Sequence, residues 1–277
     1  MGEHPRMHII KWTLLLVISF FVFMVLYSMV PGSLFMNINP LKKLLIILVG
    51  SGLLTLCYRG FESMYRKMNP MPVATHLFNK SAGIWTLKGM AVGVGYFVVL
   101  ACVMMICGCY RIADVQLPWV ELAVWLAGYL AVAIGEEIMF RGIIFRLIDE
   151  RWNFWPAILV SGLLFGFAHQ MEQNATVWSS IAIAIEAGLL LGAAYKWSGS
   201  LWFPIGIHWA WNYTQGCILG CGVSGKQIGP SIITPELSGS DIITGGAFGP
   251  EASLPAVIVG FAISCYLIYR ISQASSR

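Results

Sequence analysis

The sequence predicts an all-α protein: a polytopic membrane helix bundle of about eight transmembrane helices, with both termini cytoplasmic. Three observations carry this reading. The 277 residues are 58% hydrophobic and 11% charged, with mean hydropathy +0.75, whereas a soluble domain carries about 25% charged residues. Mainly apolar runs near the length of about 20 residues that a bilayer crossing needs recur at 12–30, 41–58, 88–110, 118–148, 155–170, 176–196, 200–219 and 253–271. The basic residues are also unevenly shared. With the N-terminus inside, Arg6, Lys11, Arg59, Arg66, Lys67, Lys80, Lys88, Arg146, Arg151, Lys196, Arg270 and Arg277 face the cytoplasm, and only Lys42, Lys43, Arg111 and Lys226 face outward. That bias satisfies the positive-inside rule.

The runs connect simply. Met1 to Lys11 is polar and short, and the first apolar run is longer than a signal-peptide core and lacks a small-residue cleavage site, so no cleaved leader is expected. Residues 59–87 form a basic cytoplasmic connection, and residues 220–252 an outer connection rich in Gly, Ser and Pro. No shift in composition separates a soluble part, so residues 1–277 read as a single membrane domain. The run at 118–148 makes a helix of about 46 Å at 1.5 Å per residue, against a hydrocarbon core of about 30 Å. Its end, with Arg146, Asp149, Glu150 and Arg151, therefore projects into the cytoplasm, and the chain turns near Trp152 and Asn153. Trp12, Trp119, Trp152, Trp155, Trp178 and Trp202 mark interface positions. The seven cysteines have no zinc-finger spacing and read as packing residues. Cys107 and Cys109 end one run, Cys217 and Cys221 another, both on the outer side, where an oxidising exterior permits a disulfide. The net charge of +4 gives no reason to expect a nucleic-acid partner.

Polar clusters interrupt three runs: Glu136-Glu137-x-x-x-Arg141, Phe165-x-x-x-His169 and His208-x-x-x-Asn212. Ionisable groups in a bilayer are costly and mark function by default. Helix lengths bring the three clusters to one level. Glu136 and His169 stand equally far from the Trp152–Asn153 turn, and His208 follows Gly199 at a matching depth of about 14 Å. Glu137 and Arg141 share a helix face at i,i+4 and can pair, and His208 and Asn212 share a face for the same reason. Glu136 points about 100° away, free to face a cavity, and a carboxylate in such surroundings suits a general base. A buried Glu–Arg pair alone also reads as glue between helices. Four further polar side chains at that depth, Glu136, His169, His208 and Asn212, exceed what glue requires. Phe165 reads as packing. Glu186, deep in its run, lacks an obvious partner and either lines the same cavity or binds a neighbouring helix.

The three motifs, in this order on three spans, resemble the CPBP intramembrane proteases, which include the type II CAAX prenyl endopeptidases and the bacterial Abi proteins of bacteriocin processing and self-immunity. The resemblance covers roughly residues 118–220, which would form the catalytic core. It implies an eight-helix bundle with a cavity open to the cytoplasm. It implies that Glu136 and His169 activate water, that His208 and Asn212 stabilise the oxyanion, and that Glu137 with Arg141 support the site. The substrate would be a membrane-associated or lipidated peptide or protein, and the location the cell (inner) membrane. The residues leave a cofactor open: two His and a Glu suit a divalent metal such as zinc, yet the same groups suffice without one. The oligomeric state is not legible.

Rival readings attach to other features. Gly225-Lys-Gln-Ile-Gly229-Pro230 and Thr244-Gly-Gly-Ala-Phe-Gly-Pro-Glu251 in the outer connection faintly resemble chloride-channel filter loops, since Gly-rich backbone binds anions through its N–H groups. Intramembrane Glu and His also serve proton-coupled transporters. A non-proteolytic immunity or scaffold role is a further alternative.

Overall fold

The computed structural model describes residues 38–68, 80–227 and 229–275. The apolar run at 12–30 lies outside them. Two compact units divide the chain, residues 1–75 and 76–277. In the first, helix α1 spans Pro40–Met68. Asn39 starts it by accepting a hydrogen bond from the Leu41 amide at 2.9 Å, and Pro40 occupies the first-turn position where its missing N–H costs nothing. Its side chains at Leu45, Leu48, Leu53 and Leu56 are exposed.

In the second unit α2 spans Ala82–Ile106 and is followed by strand β1, Tyr110–Val115. Helix α3 runs as an α-helix over Trp119–Glu137, widens to a π-helix over Ile138–Phe145 and closes with Arg146–Arg151. Helix α4 spans Phe154–Ala168 and tightens into a 3₁₀ turn at His169–Met171. Helix α5 passes through Val177–Ile183, a π segment Ala184–Leu189 and Leu190–Ser198. Helix α6 spans Trp202–Tyr213 and widens over Thr214–Ile218. Strand β2 (Ile233–Leu237), the short α7 (Asp241–Thr244), a 3₁₀ turn (Pro250–Ala252) and α8 (Leu254–Ser275) complete the chain. Among the described residues, six helices are long and apolar enough to cross a membrane.

Local signals set the helix ends. Asn153 caps α4, accepting from the Trp155 amide at 3.0 Å, so α3 and α4 form the helical hairpin that the sequence implies. Gly199 ends α5 with φ 63°, the left-handed position glycine tolerates best. Two expectations change. The third run stops at Ile106 rather than 110, because Gly108 turns the chain (φ 71°) and Tyr110 enters the sheet. β1 and β2 pair antiparallel, Tyr110 opposite Leu237, so the outer connection folds back as a hairpin partner. The seventh run is regular for only 12 residues, Trp202–Tyr213, short of a full crossing.

Small residues hold the helices that carry the polar clusters. α2 and α6 meet at Gly89, Gly93 and Gly206. A Cβ on Gly89 would fall 2.3 Å from the Phe203 carbonyl oxygen, and one on Gly206 2.4 Å from that of Thr86. α4 and α5 meet likewise: a Cβ on Gly166 would fall 2.3 Å from the Ser180 oxygen, and one on Gly188 2.7 Å from that of Gly162. Both Gly89-x-x-x-Gly93 and Gly162-x-x-x-Gly166 are the small-residue spacing that lets backbones touch in lipid. Gly206→Val would press a branched side chain on backbone, so α6 would have to move. Overpacking of this kind typically costs about 1–3 kcal/mol. The expected result is a lower melting temperature, whereas Gly95→Ala, with open space around it, should melt no lower than wild type.

All seven cysteines are free, with Cys109, Cys217 and Cys221 buried and Cys107 exposed. The disulfide that the sequence permits is therefore not formed. Burial pushes the Cys221 thiol up to about 12, which makes it a packing group rather than a reactive one.

Candidate active site

The acidic cluster sits where α3 changes from α to π geometry. Glu136 and Glu137 close the regular turns, and Arg141 lies inside the wider ones. Such bulges occur often at functional sites. The fully buried Arg141 directs Nη1 to Glu137 Oε1 at 2.9 Å. Its Nη2 donates to the carbonyl oxygens of Ala187 at 3.3 Å and Gly188 at 3.2 Å. Both acceptors lie in the π segment of α5. The guanidinium also rests 4.4 Å over the Phe165 ring. Arg141 thus ties α3, α4 and α5 together, which i,i+4 spacing alone does not reveal.

The same Glu137 oxygen takes a second bond. His208 Nδ1 lies 3.0 Å from Oε1, so its N–H donates there and Nε2 is left on the far side of the ring. That nitrogen stands 3.9 Å from Glu136 Oε2, beyond a direct hydrogen bond. Glu136 Oε2 makes no hydrogen bond within the described protein. On α4, His169 Nδ1 donates to the Phe165 carbonyl at 2.8 Å, since a carbonyl only accepts, and its Nε2 is left over. The Phe165 ring contacts both imidazoles, with centroids 4.9 Å from His169 and 6.0 Å from His208. Phe165 is therefore the packing centre of the cluster. Asn212, one turn beyond His208, is buried.

A small cavity of about 20 Å³ opens among these groups, enough for about one water. His169, His208, Asn212 and Trp211 line it, together with Glu186, Ser224 and Glu251. Glu136 is not among the lining residues; its Oε2 lies 3.9 Å from Nε2 of His208, which is one of them. Glu186 is now placed: it lines the cavity, and Tyr96 Oη donates to its Oε2 at 2.6 Å. The Tyr96 ring stacks on Trp211 at 4.1 Å.

Ser224 and Glu251 are the residues that sequence reasoning misses. Both belong to the Gly-rich outer connection, which reads as a loop lying away from the clusters. In fact it returns to the cavity. Glu251 Oε1 accepts from the Ser224 amide, and Trp211 Nε1 lies 3.4 Å from Oε2. Burial pushes the Glu251 carboxyl above the ordinary carboxylate value, opposed by the nearby His169 and by the Ser224 and Trp211 donors. The expected likeness to a filter loop also meets a physical obstacle. Phe248 is buried, the Gly225 amide donates to the Phe248 carbonyl at 2.8 Å, and the Gly245 amide to that of Asp241 at 2.8 Å. These amides are spent inside the protein rather than presented to an anion.

Among the described residues, no three His, Cys, Asp or Glu side chains converge closely enough to hold a metal ion. The Nδ1 atoms of His208 and His169 are held by Glu137 and by a backbone carbonyl, which leaves both Nε2 atoms open, as in metal-binding histidines. What the set lacks for zinc, as placed, is a converging third ligand.

Comparison with known proteins converges on the same helices. The family model "Type II CAAX prenyl endopeptidase Rce1-like" matches residues 118–214, which hold all three motifs. An Escherichia coli protein known only as "Uncharacterized 24.3 kDa protein" is 30% identical over 152 residues, 52% of this chain and 68% of that protein. The "Putative membrane peptidase YdiL" of Bacillus subtilis (strain 168) is 32% identical over 79 residues, 28% of this chain and 30% of that protein. No solved structure gives a significant match.

Proposed function

The chain belongs to the Rce1-like family of type II CAAX prenyl endopeptidases, and from that premise we propose that it hydrolyses a peptide bond in a membrane-associated or lipidated substrate, with Glu136 and His169 activating water. The family makes it an integral membrane protease. The finer reading rests on one observation: His208 stands between two carboxylates, 3.0 Å from Glu137 and 3.9 Å from Glu136, with His169 on the same cavity.

The chemistry follows from what each group offers. Glu136, whose Oε2 is not engaged by protein, takes a proton from water as general base. His169, its Nδ1–H fixed on the Phe165 carbonyl, orients that water through Nε2. This requires Glu136, not itself a lining residue of the cavity, to turn its free Oε2 toward the water. The water oxygen forms a bond to the substrate carbonyl carbon, and negative charge moves to the carbonyl oxygen. His208 Nε2–H and the Asn212 amide meet that charge; for this the His208 ring carries a proton on each nitrogen, with Glu137 compensating. Preorganised donors of this sort are worth about 10²–10³ in rate each. The carbon–nitrogen bond then breaks, and the proton held by Glu136 goes to the leaving nitrogen. Glu137 and Arg141 hold His208 and are not spent.

A CAAX substrate is a C-terminal Cys followed by three residues, the Cys bearing a prenyl chain. The test uses the full chain in liposomes with a prenylated peptide of that form, and the same peptide without its lipid but with a membrane anchor. Mass spectrometry should find a released C-terminal fragment from at least one, and Asn212→Ala should slow release by about 10²-fold or more. Chloride flux is measured on the same liposomes. Flux with no cleavage of either peptide would overturn the proposal in favour of an anion channel.

A further inference from the structure

We propose that Glu251 is a positioning residue for this hydrolysis: its carboxylate, fixed by the Ser224 amide and the Trp211 indole, faces His169 across the cavity and holds that imidazole in place for the attacking water. The inference rests on the peptidase reading above. It places part of the site outside residues 118–214, in the outer connection.

The local backbone is shaped for this contact. Val223 and Lys226 exchange both backbone hydrogen bonds, at 2.9 and 3.0 Å, around Ser224 (φ 47°) and Gly225 (φ 79°). Two central residues with positive φ are the signature of a type I′ hairpin turn. A serine in that conformation is strained, and strain of this kind gathers at functional sites. The ladder of such a turn leaves the amide of its first central residue unused, and here that amide is given to Glu251. The turn is fastened on its other side to the segment that follows His169. Asn174 Nδ2 donates to the Gly225 carbonyl at 2.9 Å, and Lys226 pairs with Glu172. A Cβ on Gly225 would overlap the Gln173 carbonyl oxygen, and one on Gly249 would fall 2.3 Å from that of Gly222. Glycine at both positions is what lets the chain bring Ser224 and Glu251 to the cavity wall.

Placement assigns the role: Glu251 and His169 line the same cavity. Glu251 is coupled electrostatically to His169 from α4, Glu186 from α5, Tyr96 from α2 and Tyr129 from α3. Of these only His169 offsets a negative charge. While Glu136 takes the water proton, His169 Nε2 accepts the hydrogen bond that orients the water, and a carboxylate lining the same cavity favours the partial positive charge this draws onto the ring. Trp211 adds a link: one residue before Asn212 and three after His208, its indole puts Glu251 in register with the oxyanion donors.

The experiment compares Glu251→Gln, Glu251→Asp and Glu136→Gln in the full chain in liposomes, with the prenylated peptide at varied concentration and a thermal melt of each variant. Gln keeps the shape and the Ser224 hydrogen bond but loses the charge and the long 3.4 Å bond from Trp211; Asp keeps the charge. Partners that orient an imidazole are typically worth about 10–100-fold in activity. Glu251→Gln should lower kcat by about 10-fold or more at unchanged KM and melting temperature, and Asp should retain more activity than Gln. A purely structural role gives the opposite order, with Gln close to wild type and Asp below it, and would overturn the inference. If Gln fails to fold, Asp is set beside Glu251→Ala: Asp more active than Ala at equal KM supports the role, and Asp no more active than Ala overturns it. Loss in Glu136→Gln beside a normal Glu251→Gln sinks this inference alone. A normal Glu136→Gln sinks the peptidase mechanism and this inference with it.

Discussion

Glu136→Gln is expected to lower the rate of peptide cleavage by about 10²-fold or more while the protein melts like wild type. The two halves of that result have separate causes. Glutamine has the volume of glutamate but no basic oxygen, so it cannot take the proton from water. Glu136 also holds little together: its side chain is 15% exposed, its Oε2 bonds to no protein group, and its approach to His208 Nε2 is 3.9 Å. Losing the charge there removes a weak attraction and leaves the helix contacts intact. His169→Ala and His208→Ala should lower cleavage as well, but His208→Ala also takes a partner from the fully buried Glu137 and should reduce the melting temperature. Cleavage by Glu136→Gln within a few-fold of wild type, at saturating peptide in liposomes, would show that the base is another group.

Much of this site was legible because helix length converts residue number into depth. Glu136 and His169 count equally from the Trp152–Asn153 turn, and α6 enters after Gly199, so the side chains of three helices had to reach one level. Glu137 and His208, 71 positions apart, do meet at 3.0 Å. Other features leave no such trace. The widening of α3 at Ile138–Phe145 and of α5 at Ala184–Leu189 coincides with interhelical contacts, among them the Arg141 bonds to Ala187 and Gly188, that local periodicity does not encode. Glu251 was hidden for a different reason. Gly and Pro around it signal a turn, and a turn signal says where a chain reverses but not what it reverses onto. The contacts that bring it to the cavity are backbone oxygens of Gln173 and Gly222 meeting glycines. Those oxygens have no residue-type signature.

Arg141→Ala is expected to destabilise the protein by about 3–5 kcal/mol, the usual cost of leaving a buried charge without its partner, and to lower cleavage with it. Arg141 and Glu137 are both fully buried, so no water replaces the lost bond. The substitution also strips the donor from two carbonyls of α5 and removes the group that fills the space over Phe165. His208 remains on Glu137, which softens the loss but cannot replace the tie to α5. Arg141→Lys should fall between, because an ammonium keeps the charge but not the planar fork that reaches Glu137 and the carbonyls together. The double variant Glu137→Gln with Arg141→Met separates stability from chemistry. Removing both charges together can restore much of the stability that removing one destroys. It cannot restore the carboxylate that anchors His208 Nδ1, so the double variant should melt above Arg141→Ala and still cleave poorly. Melting of Arg141→Ala at the wild-type temperature would mean that the pair is not buried in the membrane-embedded protein.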